Sequence, residues 1–527
     1  MTSPFSLFRD HPGETALVAA SGLLLTAAFP KVGLDPLAWV ALVPLLWAVR
    51  KAPPKTAFWL GLVFGIFHNA SLLYWIEGVV RVYGYLPVYI SVPALAMLTL
   101  YMSLYPAIAA GVLRSAVSRP GWVAVAFPVL WVAGDYARTY LLSGFPWEFV
   151  GYSQYQRLSV IQIADLAGVY GVTGLLVAAN SAIFLVVLTL AGRRWGNVVP
   201  DKKHVGVPIG AVAVLVAASL GYGMVKAGGP VAGDHPATAS VTVVQGNIEQ
   251  GLKWDKTFVE ETVSRYVNLS LAAGGNSDLV VWPETALPFY FPQDTKNSRR
   301  VIRAIQKTGA WFLVGSPAYA MKNGGHRFYN AAFMISPLGD AAGRYDKVHL
   351  VPYGEYVPLR RFFPFLGKLV EHVGDFTRGK KGHTLDWAKG SVGVMICYEI
   401  IFPDLARKQA AAGADLLVTI TNDAWFGTSS APYQHFSMSV LRAVENRRSV
   451  VRAANTGISG FVAPNGEMLA RTDLMESTAL TRDVPIMPEK TFYTRRGDVF
   501  AILCVLAAFF LVLFYPVRKW ITKGKRT

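Results

Sequence analysis

The chain has 527 residues, of which 53% are hydrophobic and 16% are charged, and its formal net charge is +17. Its length exceeds that of one ordinary domain, and its hydrophobic content excludes a wholly soluble protein. The basic charge is a weak indication of nucleic-acid binding, because short loops next to membrane helices also concentrate Lys and Arg. We therefore expect a membrane part and no nucleic-acid partner.

Uncharged hydrophobic segments recur along the chain and predict membrane helices. Four are each long enough to cross about 30 Å of hydrocarbon as a helix, namely residues 82–113, 166–192, 205–225 and 499–517. Residues 56–76 are also long enough but contain His68, and three shorter segments need flanking residues to span, namely 15–30, 36–49 and 120–134. The sequence thus predicts eight membrane helices, seven before a long polar segment and one after it.

The basic residues indicate how these helices are oriented. They follow the second, fourth, sixth and eighth predicted helices and include Arg50, Lys51, Arg114, Arg119, Arg193, Arg194, Arg518 and Lys519. Because short basic loops stay in the cytoplasm, both termini are expected there and the long polar segment outside. We predict a membrane domain with seven helices over residues 1–226, an outer domain over 227–496, and a last helix with a basic tail over 497–527.

The outer segment has a different pattern, in which predicted strands alternate with predicted helices. Strands are expected at residues 240–245, 278–282, 310–314, 330–335, 343–348, 391–396, 415–421, 450–454 and 460–462, and helices at 256–273, 298–307, 402–412 and 435–447. Such alternation is typical of a layered α/β domain, whose functional residues lie at strand ends.

Cys397 lies at the end of the strand predicted at 391–396, just before a helix-like segment. A thiol there would meet the positive end of the helix and its backbone N–H groups, which favour a thiolate and can stabilise an oxyanion. The alternative is a small buried thiol with only a structural role. The other cysteine, Cys504, falls in the last hydrophobic segment, so a disulfide between the two is not expected.

Two further reactive side chains lie at predicted strand ends, Glu284 in VVWPETA and Lys347 in RYDKVHLVPYGEYVP. A cysteine nucleophile needs a base that takes its proton, and the attacked carbonyl needs positive charge or N–H donors where its oxygen becomes negative. Glu284, Lys347 and Cys397 have the chemistry for these functions. Taken singly, the Glu and the Lys are more commonly solvated loop charges.

The two motifs above and CYEIIFPDLAR around the cysteine resemble the Glu-Lys-Cys motifs of the carbon-nitrogen hydrolase (nitrilase) superfamily. The hydrophobic segments on both sides and the loop GFPWEFVGYSQ resemble its membrane-embedded branch, the apolipoprotein N-acyltransferase family. The resemblance implies a membrane α-helical bundle of eight helices in the bacterial inner membrane. It also implies a periplasmic catalytic domain with an α/β fold, a nitrilase-like α-β-β-α sandwich.

The resemblance implies roles for individual residues. Glu284 would be the general base, Lys347 would stabilise the tetrahedral intermediate, and Cys397 would accept the acyl chain. The implied supporting residues are Glu355, which would orient the Lys and the Glu, Tyr398, Glu399 and Trp254.

By the same resemblance, the reaction has two steps. The cysteine takes the sn-1 acyl chain of a phospholipid, typically phosphatidylethanolamine, as a thioester. The α-amino group of a diacylglyceryl-cysteine at the N-terminus of an apolipoprotein then accepts it as an amide. Membrane lipids and the apolipoprotein are thus the expected partners. The sequence has no metal-binding or nucleotide-binding motif, so no cofactor is expected.

Large apolar side chains near the motifs are candidates for contact with lipid. They are Phe362 and Phe363 in the segment LRRFFPFLGKL, Tyr290, Trp425 and Phe426, and Trp147 in the aromatic loop. A lid that enters the membrane interface, or an acyl-chain pocket, would use such residues. Core packing, or an interfacial belt in the case of Trp147, explains them as well.

Two other functions are compatible with parts of the sequence. A membrane-tethered amidase or nitrilase would use the same three residues with water as the acceptor, so only the membrane part separates it from an acyltransferase. A transporter or scaffold with a peptide-binding outer domain would not need the reactivity of Cys397.

Overall fold

A computed structural model describes residues 7, 9–228, 237–251, 257–322, 325–356 and 376–524, with only the backbone described at Lys322 and from 514 onward. The chain divides into two units. The helical unit comprises Met1–Glu77, Pro87–Lys226 and Asp498–Thr527, and the sandwich unit comprises Gly78–Leu86 and Ala227–Gly497.

Apolar segments of the helical unit form its helices. In chain order these are α1 (Pro12–Ala27), α2 (Val43–Val49), α3 (Pro54–Leu72), α4 (Trp75–Gly78), α5 (Val88–Ala116), α6 (Val123–Tyr140), α7 (Leu158–Ile161), α8 (Ala164–Leu190) and α9 (Lys202–Gly228). Helices α1, α2 and α3 have a proline in their first turn, where its missing N–H and fixed φ are compatible with the helix.

The helices differ in their ability to cross a membrane. Among the described residues, α5, α8 and α9 are long and apolar enough, and α3 with the bent segment Trp75–Tyr83 would make a fourth span. Asp35–Val49 and Val499–Leu513 form shorter apolar helices. The expected total of eight membrane helices is therefore not confirmed, because some hydrophobic segments form short helices and one pair of helices is bent by 52°.

Polar side chains inside the helical unit bind one another or backbone groups. Asp135 Oδ1 lies 2.9 Å from Arg138 Nε, and Arg138 also donates to the Trp147 carbonyl at 3.2 Å. Asn180 on α8 accepts a hydrogen bond from the backbone N–H of Leu42 at 2.9 Å. Because unpaired polar groups are costly in an apolar interior, such pairing allows these residues to be buried there.

The described part of the sandwich unit contains two six-stranded sheets. The strands are β1 (Thr238–Gln245), β2 (Leu279–Val281), β3 (Trp311–Lys322), β4 (Gly325–Ile335), β5 (Ala341–Asp346), β6 (Thr384–Trp387), β7 (Gly390–Ile396), β8 (Leu416–Thr421), β9 (Ser449–Ala454), β10 (Gly460–Val462), β11 (Met468–Arg471) and β12 (Thr478–Pro485). The strand orders are β12-β1-β2-β3-β4-β5 and β11-β10-β9-β8-β7-β6. In each sheet three central strands are parallel, β1 to β3 and β7 to β9.

Helices cover one face of each sheet. Helices α10 (Val259–Ala273) and α11 (Thr295–Thr308) pack on the first sheet, and α12 (Pro403–Ala411) and α13 (Ala431–Asn446) pack on the second. The sheets meet through their other faces, where the Ser459 hydroxyl donates to Gln245 Oε1 at 2.6 Å. This α-β-β-α order confirms the α/β sandwich. The unit ends with α14 (Phe492–Arg496), and α15 (Val499–Gly524) belongs to the helical unit.

The sequence predicted most of these elements to within a few residues, but not all of them. Strands β6, β11 and β12 were not predicted, because they are short or rich in polar residues. Strands β3 and β4 are longer than predicted, since they continue as a hairpin far beyond the three residues of β3 that pair with β2. The predicted reactive residues all lie just after strands, where the two sheets end.

Candidate active site

Cys397 lies at a sharp turn between β7 and a short 3-10 helix, as its predicted strand-end position requires. Its φ is 54°, a left-handed conformation. For a residue other than glycine such a conformation costs on the order of 1 kcal/mol and persists only where neighbouring groups impose it. The turn at Cys397 therefore needs support from outside its own segment.

The carboxylate of Glu399 supplies part of that support. One oxygen accepts a hydrogen bond from the Ile396 N–H at 2.7 Å, and the other accepts from the N–H groups of Val348 and His349 at 2.6 and 2.8 Å. Burial raises the pKa of Glu399 to about 7, although these N–H donors oppose the shift. Glu399 thus joins the turn at Cys397 to the loop after Lys347.

Glu284 follows β2 and is held by two hydrogen bonds. Its Oε2 accepts from the backbone N–H of Asn422 at 3.0 Å, and its Oε1 accepts from the Asn330 side chain at 2.7 Å. Gly315 on β3 makes this approach possible, because a Cβ there would lie 2.3 Å from the Pro283 carbonyl oxygen. The sequence predicted Glu284, but it did not predict that a glycine on β3 lets the loop of Glu284 approach so closely.

Lys347 follows β5 and is 1% exposed. Its ammonium nitrogen lies 3.0 Å from Glu355 Oε1 and 3.6 Å from Glu284 Oε1. Burial alone would lower the pKa of Lys347, but Glu355 and Glu284 outweigh it and raise that pKa. Lys347 is therefore a buried cation between two carboxylates, and we call Glu284, Lys347 and Glu355 the reaction cluster.

Asn330 on β4 joins the two carboxylates of the reaction cluster and was not predicted. Its side-chain NH2 donates to Glu284 Oε1 at 2.7 Å and to Glu355 Oε1 at 2.9 Å, and its backbone carbonyl accepts from the Lys347 N–H at 2.8 Å. Asn330 has no local sequence pattern that marks it. Only the pairing of β4 with β5 brings it beside Lys347.

The thiol of Cys397 is within the electrostatic influence of the reaction cluster. Burial and the charges of Glu284 and, less strongly, Asp423 raise its pKa to about 12. Lys347 and a hydrogen bond with Thr421 lower it. The expectation that the strand-end turn favours a thiolate is therefore wrong, because burial and a nearby carboxylate outweigh the helix end and Lys347. A cysteine in this state needs a base during the reaction.

Comparisons with known proteins show what the chain is similar to. Residues 21–182 match the apolipoprotein N-acyltransferase N-terminal domain, and residues 240–487 match the carbon-nitrogen hydrolase family. The solved structure of a carbon-nitrogen hydrolase from Helicobacter pylori G27 is 18% identical and covers 47% of this chain and 89% of that chain, with a TM-score of 0.37. An apolipoprotein N-acyltransferase of Geobacter metallireducens is 44% identical over 95% of each chain, and one of Methylococcus capsulatus is 35% identical over 92% of each.

The chain belongs to the apolipoprotein N-acyltransferase family. It is thus an acyltransferase of the carbon-nitrogen hydrolase superfamily, as its motifs predicted. The alternative of a membrane-tethered amidase or nitrilase is not favoured, because the N-terminal half matches the acyltransferase domain as well.

The candidate lipid-contacting residues of this N-acyltransferase family member lie in different surroundings. Trp147 is 1% exposed inside the helical unit, with its ring centroid 4.8 Å from that of Trp75. In the sandwich unit, Tyr290 is 37% exposed and packs edge-on against Tyr319. The lipid-binding role of Trp147 and Tyr290 stays a prediction.

Trp425 and Phe426 occupy a turn after β8 and are both half-buried. The Trp425 ring packs edge-on against Tyr83, whose hydroxyl donates to the Ala424 carbonyl at 2.6 Å. The Phe426 ring packs edge-on against His435. The turn is thus fixed on both sides, and a lipid-binding role for its two aromatic rings stays a prediction.

Three predicted residues, Trp254, Phe362 and Phe363, lie outside the described residues. Tyr398 is described, and its ring packs edge-on against Phe402 at 5.2 Å between centroids. Within the described ranges, no group of three His, Cys, Asp or Glu side chains is arranged to hold a metal ion.

Proposed function

We propose that this chain transfers the sn-1 acyl chain of a phospholipid to the N-terminal α-amino group of a diacylglyceryl-modified apolipoprotein, through a thioester on Cys397. Family membership supports the reaction class. The observation that carries the assignment to this site is the contact of a buried ammonium group with two carboxylates beside a cysteine of high pKa.

Glu284 is the general base in this proposal. With a thiol pKa of about 12, almost no thiolate exists at neutral pH, so the proton must leave as the sulfur attacks the ester carbonyl. Glu284 accepts that proton and returns it to the departing oxygen of the lysophospholipid. In the second step it accepts a proton from the attacking amine, and the sulfur recovers a proton as the amide forms.

Lys347 stabilises the negative oxygen of each tetrahedral intermediate. A buried ammonium ion is effective there, because it acts in surroundings with little water and is already oriented. Glu355 keeps the Lys347 side chain in place at 3.0 Å. Glu399 and Tyr398 support the turn of the nucleophile, and Trp254 belongs to the site by resemblance alone.

The membrane organisation is also part of the proposal. Residues 1–226 form a membrane domain with seven helices, 227–496 a periplasmic catalytic domain, and 497–527 an eighth helix with a cytoplasmic tail. The inner membrane would then hold both lipid substrates near the headgroup plane, where the catalytic domain meets them. Basic residues after every second predicted helix support this orientation.

Phosphatidylethanolamine is the donor we propose, and mass spectrometry of the protein tests it. Incubation with this lipid in detergent micelles should add one acyl group to Cys397, and hydroxylamine should remove it. A peptide with an N-terminal diacylglyceryl-cysteine should then take up the acyl chain as an amide. Phosphatidylglycerol in place of phosphatidylethanolamine tests the headgroup.

The two cysteines provide a matched control for this experiment. Cys397→Ala should lower the transfer rate by at least about 1000-fold, whereas Cys504→Ala should leave the adduct in place. Release of free fatty acid without transfer to the peptide would support hydrolysis and contradict the proposal. Undiminished transfer by the Cys397 variant would exclude this nucleophile.

A further inference from the structure

A second group of buried polar side chains lies behind Cys397 in the sandwich unit. Asp423, His435 and Arg452, which we call the support cluster, are each at most 1% exposed. Arg452 Nη2 lies 2.7 Å from Asp423 Oδ2 and 2.9 Å from His435 Nδ1. The sequence did not indicate these residues, and the proposed reaction does not use them.

The hydrogen-bond partners of His435 determine which ring nitrogen carries its proton. Nε2 lies 3.2 Å from the Cys397 carbonyl oxygen, which can only accept, so Nε2 is the donor. In a neutral ring with its proton on Nε2, Nδ1 is the acceptor, and it lies 2.9 Å from Arg452 Nη2, which can only donate. Asp423 Oδ1, at 3.1 Å from Nδ1, accepts from the Thr421 hydroxyl at 2.9 Å. Burial and the charge of Arg452 lower the pKa of His435 against the opposing effect of Asp423, which keeps the ring neutral.

We propose that His435 is a positioning residue for the nucleophile. Its Nε2–H donates to the Cys397 carbonyl and fixes the peptide plane after the cysteine. Arg452, paired with Asp423, donates to Nδ1 and so favours the one neutral tautomer that can make this bond. The inference rests on the proposed function, in which Cys397 accepts the acyl chain.

The peptide plane is important because the backbone of Cys397 is in a disfavoured conformation, with φ at 54°. Glu399 binds the Ile396 N–H on the strand side of the turn, and His435 binds the carbonyl on the other side. The same peptide unit carries the Tyr398 N–H, which in a planar trans peptide points opposite to the carbonyl. His435 thus orients both the cysteine and a backbone donor next to it.

Two amide substitutions distinguish the loss of this hydrogen bond from the loss of the ring. In His435→Gln the side-chain NH2 reaches the position of Nε2, whereas in His435→Asn it ends near the position of Nδ1. We expect the single-turnover rate of Cys397 acylation by phosphatidylethanolamine to fall about 100-fold in the Asn variant and less than about tenfold in the Gln variant. The KM for the phospholipid should be unchanged in both, because the His435 side chain is fully buried.

The outcomes separate this inference from the proposed function. Equal rates in the Gln and Asn variants, whether both high or both low, would overturn the positioning role, because the two differ in the reach of the donor. A larger change in KM than in the acylation rate would overturn it as well. A wild-type protein that gains no acyl group on Cys397 would contradict the proposed function itself, and the inference with it.

A spectroscopic measurement on the wild-type protein covers the case in which both variants unfold. Nitrogen-15 NMR of histidine-labelled protein should contain a neutral ring that carries its proton on Nε2 throughout the neutral pH range. Its signal should shift when iodoacetamide alkylates Cys397, since the ring is bonded to that residue's carbonyl. The absence of such a signal, or a shift only in rings protonated on Nδ1, would overturn the inference.

Discussion

The reaction cluster and the support cluster are both buried groups of charged side chains, but they differ in charge balance. The reaction cluster has two carboxylates for one ammonium group, and its field reaches the Cys397 thiol. The support cluster pairs one carboxylate with one guanidinium group around a neutral imidazole. The first has one more negative group than positive, whereas the second has one of each, and Asp423 of the second also raises the pKa of the thiol.

This difference has a physical reason. A general base needs a carboxylate close to the group that it deprotonates. Asn330 keeps two such carboxylates together by donating to both of them. In the support cluster the charges are balanced and the hydrogen-bond donors and acceptors are fixed, so one arrangement of the side chains is favoured. A single arrangement is what the turn at Cys397 requires. We therefore expect buried charge to serve the reaction in the first cluster and to hold the backbone of Cys397 in the second.

The substitution Glu284→Gln should have the largest effect on the acylation rate, because it keeps the shape of the side chain and removes its basicity. Single-turnover acylation of Cys397 should slow about 1000-fold, because the thiol loses the group that takes its proton. Glu260→Gln, on an exposed side chain of the same unit, is the matched control and should acylate normally. A rate within tenfold of wild type would exclude Glu284 as the base.

A smaller effect on the acylation rate is expected from the substitution of two glycines, one next to each cluster. The added Cβ of Gly315→Ala would lie 2.3 Å from the Pro283 carbonyl oxygen and 2.7 Å from the Thr285 nitrogen, so the backbone that carries Glu284 must move. The Cβ of Gly457→Ala would lie 2.3 Å from Asp423 Oδ2 and would displace the support cluster. We expect acylation to slow about 100-fold in the first variant and about tenfold in the second.

Gly275→Ala is the control for both variants, since nothing lies within 4 Å of the added Cβ. Its acylation rate and thermal unfolding should match those of wild type. If Gly457→Ala slows acylation more than Gly315→Ala does, the ranking of the two clusters is wrong. If neither substitution changes the rate, neither contact positions the site.

The smallest effect concerns the pH dependence of the thiol. With a pKa of about 12, the thiolate fraction of Cys397 should keep rising up to the most alkaline pH at which the protein stays folded. Alkylation of Cys397 by iodoacetamide, followed by mass spectrometry, should show this rise, whereas the unfolded protein should reach a plateau above about pH 8.5. A plateau at neutral pH in the folded protein would contradict the raised pKa.

Substitutions in the reaction cluster test the direction in which each charge shifts the pKa of the Cys397 thiol. The charge of Glu284 raises the thiol pKa, so Glu284→Gln should lower it and increase alkylation several-fold at a given pH, even though acylation is slower. The charge of Lys347 lowers the thiol pKa, so Lys347→Met should decrease alkylation. Changes in the same direction in both variants would contradict this electrostatic account.

The local pattern of the sequence determined the strand ends and the reactive residues on them. Glu284, Lys347 and Cys397 follow β2, β5 and β7, and the sequence predicted each of them at the end of a strand. Hydrophobic length also predicted α5, α8 and α9 as apolar helices long enough to span a membrane. Such features depend on consecutive residues, so a single sequence contains enough information for them.

The tertiary structure alone decided what surrounds those residues. Asn330 reaches Glu284 across 46 residues of chain, and Arg452 reaches Asp423 across 29, through strand pairings that no local pattern specifies. The state of the Cys397 thiol was likewise decided by burial and by a carboxylate from another strand, which the sequence-based expectation of a thiolate did not include. Contacts between distant segments set distances and desolvation, and those quantities control the chemistry.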